Sequence, residues 1–580
     1  MTSSLGDTWY ESNNIVVRIN PISPASSNGL LLNAHFDTQV VAPGVVDNSI
    51  SVSVALELIR TLIYNAALER PLIINFNNGE ELGMLGAGAM TLHPWFKSVK
   101  AFINTDGSGA APGSRAMLFQ TNSFPLMKAW KKYSPYPHAS VIVNDLFSLI
   151  PSDTDYRIFV AYGHLQGVDV AFYSYRYQYH TPEDTVEFSW PISVQHLGDN
   201  IRATVIGITS SEVLDNLAPD NTTYENPMKD SLPIPDFVYY DLFWWLTVNS
   251  GASFRWMIVG ILITATLWTV IKSAKEVYFI GRSRFLLRFV RPTVESYVLT
   301  LFAASVALLG AYIFSKIKSY INPGSSYGLP ILNAIWVSFW VFGCFAYIPK
   351  IWPQVGEELL LRQRSTRVNR TRNRQSRPLV VGETVGTHAG QSLQSARQLS
   401  KGPPVEKWLP YGLLAFWTTL LIPTLLLSLR GFNGLFFIVH WSFYSLVAVG
   451  FTQLISPLAL KWWREQGSLY FPTTNAPANV DVIHWHSKVV NFYQKQIWGV
   501  QLIISSLIPG LLTIDLVDQC VIAFPAVFGI PKKEAINDLL FAALFVLLFI
   551  NLLPAFQMAR KTQLAEFVLT VLLLPTIIFR

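Results

Sequence analysis

Cysteine is almost absent: Cys344 and Cys520 are the only two in 580 residues, both in or beside apolar segments far apart in the chain. A disulfide framework is thereby excluded for the first two hundred residues. Charge is scarce as well, at 14% of residues against 51% hydrophobic and 13% aromatic, and mean hydropathy is positive. Such a composition implies a membrane protein unless the apolar residues follow sheet or helix periods, and here they do both in different places. Long apolar runs are lacking up to about Leu217, where short ones are broken by Asn, Asp, Gly and Pro, as in an α/β globular domain. Beyond Trp256 the runs become long and nearly uncharged. The net charge of +6 does not indicate nucleic acid as a partner, because seven arginines fall between Arg362 and Arg377, in one loop between apolar segments. That placement reads as a cytosolic loop of the positive-inside kind.

What the first part of the chain does contain is a series of histidines and carboxylates at the ends of short apolar runs. Expected strands are Asn14 to Ile19, Leu30 to Phe36, Leu72 to Asn77, Ala101 to Thr105 and Val168 to Tyr173, with a helix over Ser51 to Tyr64 where apolar residues recur at three and four. Strands alternating with helices imply an α/β sandwich with a largely parallel sheet, whose ligands bind beyond the carboxyl ends of the strands. His35, Asp37, Glu80, Glu81 and Asp106 sit at such ends, Asp47 follows a Pro-Gly turn, and His180 follows a tyrosine-rich stretch. Imidazole and carboxylate suit zinc, and a carboxylate can bridge two ions. A further carboxylate that is not a ligand must take the proton of the attacking water and return it to the leaving amine. Adjacent side chains at a strand end diverge, so of Glu80 and Glu81 one coordinates while the other acts as base. Asp37, two residues after His35, can accept the imidazole's second N–H and fix its tautomer.

The flanks of these residues are specific. The stretches Asn33 to Thr38, Ala42 to Asn48, Phe76 to Gly83, Phe102 to Asp106 and Tyr177 to Thr185 resemble the M28 family of zinc metallopeptidases, and more narrowly its fungal vacuolar membrane protease branch with relatives in the endoplasmic reticulum. The resemblance implies two zinc ions per chain, His35 and Asp106 holding one, Glu81 and His180 the other, and Asp47 bridging them. It further implies Glu80 as the proton acceptor and the Tyr179 hydroxyl as the oxyanion donor. Pro151 to Asp155, followed by Tyr156 and Arg157, also resembles this branch, in the segment that shapes the substrate side. Asp106 stands where the membrane branch usually has Glu, and Ser49 and Ile50 where smaller residues are usual. By the resemblance, a membrane helix and the opening elements of the peptidase domain would precede the motifs, and a further luminal region would follow Arg580.

A spanning helix needs about 20 apolar residues. Eight candidates follow: Arg255 to Ile271, Ser296 to Phe314, Pro330 to Ile348, Trp408 to Leu429, Leu435 to Ile455, Ile497 to Leu516, Leu539 to Phe556 and Glu566 to Phe579. The expected organisation is a zinc peptidase domain over 1–217, a luminal linker and interfacial segment over 218–254, three membrane helices over 255–349, an Arg-rich disordered cytosolic loop over 350–407, and about five further helices over 408–580. With the peptidase luminal, the basic loops all fall on the cytosolic side, and Asn221 of Asn221-Thr222-Thr223 is a usable glycosylation acceptor. No span carries a pair of acids at mid-depth, so a transporter lacks the buried charges it needs.

The expected fold class is therefore an α/β sandwich of the M28 type with a mixed, largely parallel sheet, followed by a polytopic α-helical membrane domain. The expected activity is aminopeptidase-type hydrolysis of a peptide or protein substrate at the vacuolar membrane, or alternatively that of the endoplasmic reticulum, with membrane lipid as the other partner. A silent scaffold keeping the fold, or a one-zinc glutaminyl cyclase, are the competing readings. His93, His138 and His164 fall outside the pattern, and His484 with His486 reads as interfacial.

Overall fold

The computed structural model describes residues 13–64, 68–110, 113–147, 153–174, 178–228, 235–242, 245–280, 291–321, 333–345 and 409–450, with most of 538–550 and a few isolated positions. These form two compact units, one of residues up to Ile258 together with Pro423–Phe437, the other of helices.

The first unit is built on six strands: β1 (Ile15–Ile19), β2 (Gly29–His35), β3 (Leu72–Asn77), β4 (Val99–Asp106), β5 (Met117–Thr121) and β6 (Gln166–Ala171). Their order is β1-β3-β2-β4-β6-β5. The central four run parallel, while β1 and β5 pair antiparallel at the edges. Leu30, Leu31 and Leu32 on β2 and Leu72, Ile73 and Ile74 on β3 are all buried, as expected for strands covered on both faces. One cover is made by α1 (Ile50–Tyr64) and α6 (Pro191–Thr209), which pack on each other and on β2. The other is made by α2 (Leu85–Thr91) and α5 (Asp155–Ala161), whose Met90, Ile158 and Phe159, with Met84 just before α2, close a core over Leu31, Ile73 and Phe102. The short helices α3 (Phe124–Tyr133) and α4 (Val141–Phe147) flank β5.

All five expected strands and the first helix are present, with ends shifted by no more than two residues. The edge strand β5 was not expected. Residues 218–254, read as a linker, contain a hairpin of β7 (Phe237–Leu242) and β8 (Trp245–Ser250), which leads directly into α7 (Gly251–Ile280). This hairpin is locked to the rest of the unit by the fully buried His138, whose Nδ1 pairs with Asp241 and whose Nε2 lies 3.1 Å from the Tyr173 hydroxyl. The stretch at 423–437 completes the same unit. Asn433 donates to the Pro235 and Phe237 carbonyls, the Gly434 N–H donates to Asp145 at 2.6 Å, and Phe436 stacks on Tyr240 with ring centroids 4.0 Å apart. Burial pushes the Asp145 carboxyl up to about 7, against the pull of the backbone N–H groups of Gly434 and Asn433.

Among the described residues, two helices are long and apolar enough to cross a membrane, Gly251–Lys275 (continuing from the first unit) and Tyr297–Ile321, with mean hydropathies of 1.8 and 2.0. Shorter apolar helices cover Asn333–Phe345, Leu414–Ser428, Phe436–Gly450 and Asp538–Leu547. The spans expected at Ile497 to Leu516 and Glu566 to Phe579, the Arg-rich loop and His484 lie outside the described residues, apart from two isolated positions in the first. Gly310 gives Trp340 room to reach the Ala307 carbonyl, because a Cβ at 310 would stand 2.1 Å from the indole. Near helix ends, Lys318 lies 3.0 Å from the buried Asp538 and donates to Asn333, which in turn donates to Asp538, so these charges are mutually satisfied.

Candidate two-metal site

Parallel strands put their carboxyl ends on one edge of the sheet, and three of them deliver side chains there. His35 ends β2, Asp106 ends β4, and Glu80 and Glu81 follow β3 by three and four residues. Asp47 lies in the turn entering α1, joined to Asn48 by a cis peptide bond. Gly107 is required beside it, since a Cβ there would stand 1.8 Å from the Val46 carbonyl oxygen. His180 comes from the turn after β6, with φ of +61°, an uncommon backbone for a residue with a Cβ.

These residues converge in two clusters, His35 with Asp47 and Asp106, and Asp47 with Glu81 and His180, each with its ligand atoms within 4.8 Å of one another. Asp47 belongs to both. Its Oδ1 is 3.3 Å from His35 Nε2, and its Oδ2 is 3.0 Å from His180 Nε2. Asp106 Oδ1 lies 3.5 Å from His35 Nε2, and Glu81 Oε1 lies 3.2 Å from His180 Nε2. Nε2 of His35, Nε2 of His180 and Oε1 of Glu81 are buried without a hydrogen-bond partner. Native folds rarely leave such atoms unsatisfied unless something else binds them. Two imidazoles and three carboxylates, one of them facing both clusters, fit a pair of divalent cations of the zinc type.

Electrostatics agree with a site made for positive charge. Burial opposes the charged form of the His180 imidazole, but the Asp47 and Glu81 carboxylates prevail and push it up to about 9. His35 is likewise raised well above its usual range, with burial overcome by Asp106, Asp37 and Asp47. Burial pushes Asp47 up to about 6. Glu80 is raised well above the ordinary carboxylate range, by burial and by the surrounding acids. A carboxyl with that appetite for a proton is what a general base at neutral pH requires.

Around the clusters the side chains are braced. The Asp37 carbonyl oxygen sits 3.0 Å from His35 Nδ1, nearer than its carboxylate at 3.5 Å. That carboxylate instead accepts the backbone N–H groups of Glu80 and Glu81 at 3.2 and 3.1 Å. Gln39 donates to Glu81 Oε2 at 2.7 Å, leaving Oε1 for His180. Asp184 accepts the N–H groups of Val46 and Asp47. Tyr179 lays its ring on that of His180, centroids 3.5 Å apart. Beneath the strand ends runs a buried amide and carboxyl layer. Asn33 donates to Asn104 and Asp155, Asn77 donates to Asp155, Asn104 donates to Asp169, and Thr154 closes on Asp169 at 2.5 Å. In the Pro151 to Arg157 segment, Asp155 is 1% exposed and belongs to this layer. Its carboxyl is pushed up to about 6 by burial.

All eight expected site residues are therefore described, and the five expected ligands come together. Gln39, Asp184 and the asparagine layer were not foreseen. Of these, Asp184, Asn33, Asn77 and Asn104 carry a signal, lying inside the stretches that bear the resemblance, and Gln39 carries none.

Residues 14–205, which hold the mixed, mostly parallel sheet and the two-cluster acid and histidine site at its carboxyl edge, match the model of peptidase family M28. The chain thus carries an M28 peptidase domain. Among named relatives, it is 42% identical over 182 residues to a vacuolar membrane protease of Candida dubliniensis, covering 31% of this chain and 19% of that one. It is 37% identical over 217 residues to endoplasmic reticulum metallopeptidase 1 of Homo sapiens, covering 36% and 24%. The matched region spans no more than 30% of the length of the first curated relatives. A solved zinc aminopeptidase from Bacillus subtilis aligns with 37% of the chain and 53% of its own at 18% identity and a TM-score of 0.28.

Proposed function

We propose that the chain is a membrane-anchored two-zinc metallopeptidase acting as an aminopeptidase, with its site on the luminal side of the vacuolar or endoplasmic reticulum membrane. The observation that carries this reading is the shared Asp47 between two clusters whose buried nitrogen atoms lack partners. His35 and Asp106 would hold one zinc, Glu81 and His180 the other, with Asp47 common to both. Bound there, the ions would supply Lewis acidity and make water a nucleophile near neutral pH.

The chain's own residues supply the rest. The Glu80 carboxylate takes the proton of the attacking water and delivers it to the leaving amine. The Tyr179 hydroxyl, on a ring already stacked against His180, donates to the oxyanion that develops on the substrate carbonyl. Asp37 holds His35 in one tautomer and fixes the backbone of both glutamates. A scaffold retaining only the fold would be free to lose ligands, and none of the five is lost. The apolar helices support membrane anchorage, and a polytopic arrangement is the one we favour.

Purified protein is expected to bind two zinc ions and to cleave aminoacyl reporters. Glu80→Gln should lower turnover by about 10²–10⁴-fold with zinc content unchanged. Full activity in that variant would remove Glu80 from the role of base, and one zinc in active wild-type protein would favour the cyclase reading.

A further inference from the structure

Asp184 is fully buried at 1% exposure, and both of its carboxylate oxygens are committed to the backbone that carries Asp47. Oδ1 accepts from the Val46 N–H at 2.8 Å and Oδ2 from the Asp47 N–H at 3.2 Å, while the Asp184 carbonyl accepts from Val45 at 3.3 Å. On its other side Asp184 is fixed to His180 by a compact turn. Thr181 donates through both its N–H and its hydroxyl to Gln178, and the Asp184 N–H donates to Thr181 at 3.2 Å. The five residues from His180 to Asp184 therefore form a clasp, one end carrying an imidazole and the other gripping the turn that presents the shared carboxylate. His35 and Asp106 need no such clasp, because they end β2 and β4 within the parallel ladder itself.

We propose that Asp184 is a positioning residue that sets the Asp47–His180 separation, and so determines the affinity of the cation position formed by Asp47, Glu81 and His180 far more than that of the position formed by His35, Asp47 and Asp106. The inference rests on the two-cation reading above. It requires a carboxylate at 184. An asparagine offers one acceptor and would turn its NH₂ toward a second N–H, opening one of the two grips. A residue that merely capped the turn into α1 would, when changed, lower the stability of the whole domain without separating the two metal affinities.

The test is a titration of metal-free full-length protein with Zn²⁺ against a chromophoric chelator, alongside thermal unfolding of the metal-free forms. Wild-type protein should show two sites. Asp184→Asn should weaken one of them by about ten- to a hundredfold and leave the other within a few-fold. Asp184→Glu, which restores two acceptor oxygens, should recover part of the loss. Glu183→Gln, one residue away and exposed, should leave both affinities unchanged. Equal weakening of both sites, or of neither, in Asp184→Asn overturns the proposal, as does a single zinc in wild-type protein. If Asp184→Asn unfolds, Asp184→Glu decides: a milder weakening of one site alone supports the clasp, and equal weakening of both sites, or of neither, overturns it. Wild-type protein that binds two zinc ions and cleaves no peptide would refute the peptidase reading while leaving this one standing.

Discussion

Asp37 sits one residue past its neighbour Phe36 from the end of β2, where main-chain and side-chain oxygens serve different elements. Its carbonyl faces His35, and its carboxylate faces the N–H groups of Glu80 and Glu81 on the loop after β3. One residue thus ties the end of one strand to the working loop of another. Asp37→Asn keeps the carbonyl but replaces one of two acceptor oxygens with a donor. Zinc affinity should fall about ten- to a hundredfold, the range for residues that brace ligands. Equilibrium dialysis against buffered zinc measures it, and an unchanged affinity would assign the bracing to the carbonyl alone. The ligands themselves were legible in the sequence because imidazole and carboxylate have few other reasons to gather at strand ends. Gln39 and Asp184 were not, because what they grip is a glutamate 42 residues away in one case and a backbone about 137 residues away in the other. Sequence order carries no trace of such pairings.

At the scale of elements, the parallel strands were readable from their short, nearly unbroken apolar runs, while β5 was hidden among residues that look like a loop. The hairpin β7–β8 falls in the stretch whose sequence reads as a linker and interfacial segment. Its tyrosines and tryptophans have the composition of a membrane interface, yet Val238 and Tyr239 are buried in the peptidase unit. Further along, Arg70, just before β3, is buried and reaches the segment after α6. Its guanidinium grips Asp215 at 2.5 and 2.9 Å and the Thr209 carbonyl at 3.2 Å. The guanidinium beside Asp215 holds that carboxyl well below the usual carboxylate range, helped by Ser26 and Asn28. A depressed folded-state value means the contribution is present above the ordinary carboxylate range and is lost as pH falls below about 4. Asp215→Asn should therefore melt earlier than wild type at pH 6, and the gap should narrow as acid is added. A gap that stays constant with pH would show that the carboxylate charge is not what Arg70 reads.

For the molecule as a whole, the division into a domain with short apolar runs and a domain with long ones is visible in the sequence, and the two units depart from it in two places. The boundary runs to Ile258, not 217, and the first unit recruits Pro423–Phe437 from between two apolar helices. Nothing in the polar, glycine-containing turn at 430–434 announces that its backbone will cap itself with Asp145. The luminal placement proposed for the peptidase has its own check. Asn221 is exposed in the segment after α6, so in a eukaryotic membrane fraction it should carry a glycan that endoglycosidase removes. Asn221→Gln should then migrate like the deglycosylated chain, and identical migration of all forms would argue for the cytosolic side.

The recruited stretch also bears on when the first unit can be finished. Between Ile258 and Pro423 lie roughly 165 residues, which at translation rates of about 5–20 residues per second take on the order of ten to thirty seconds to emerge. Until then Asp145 has no Gly434 to hold and Tyr240 no Phe436 to cover it, so the nascent peptidase waits with an open flank. The ribosome, more than the chain's own folding rate, sets the moment at which the domain closes.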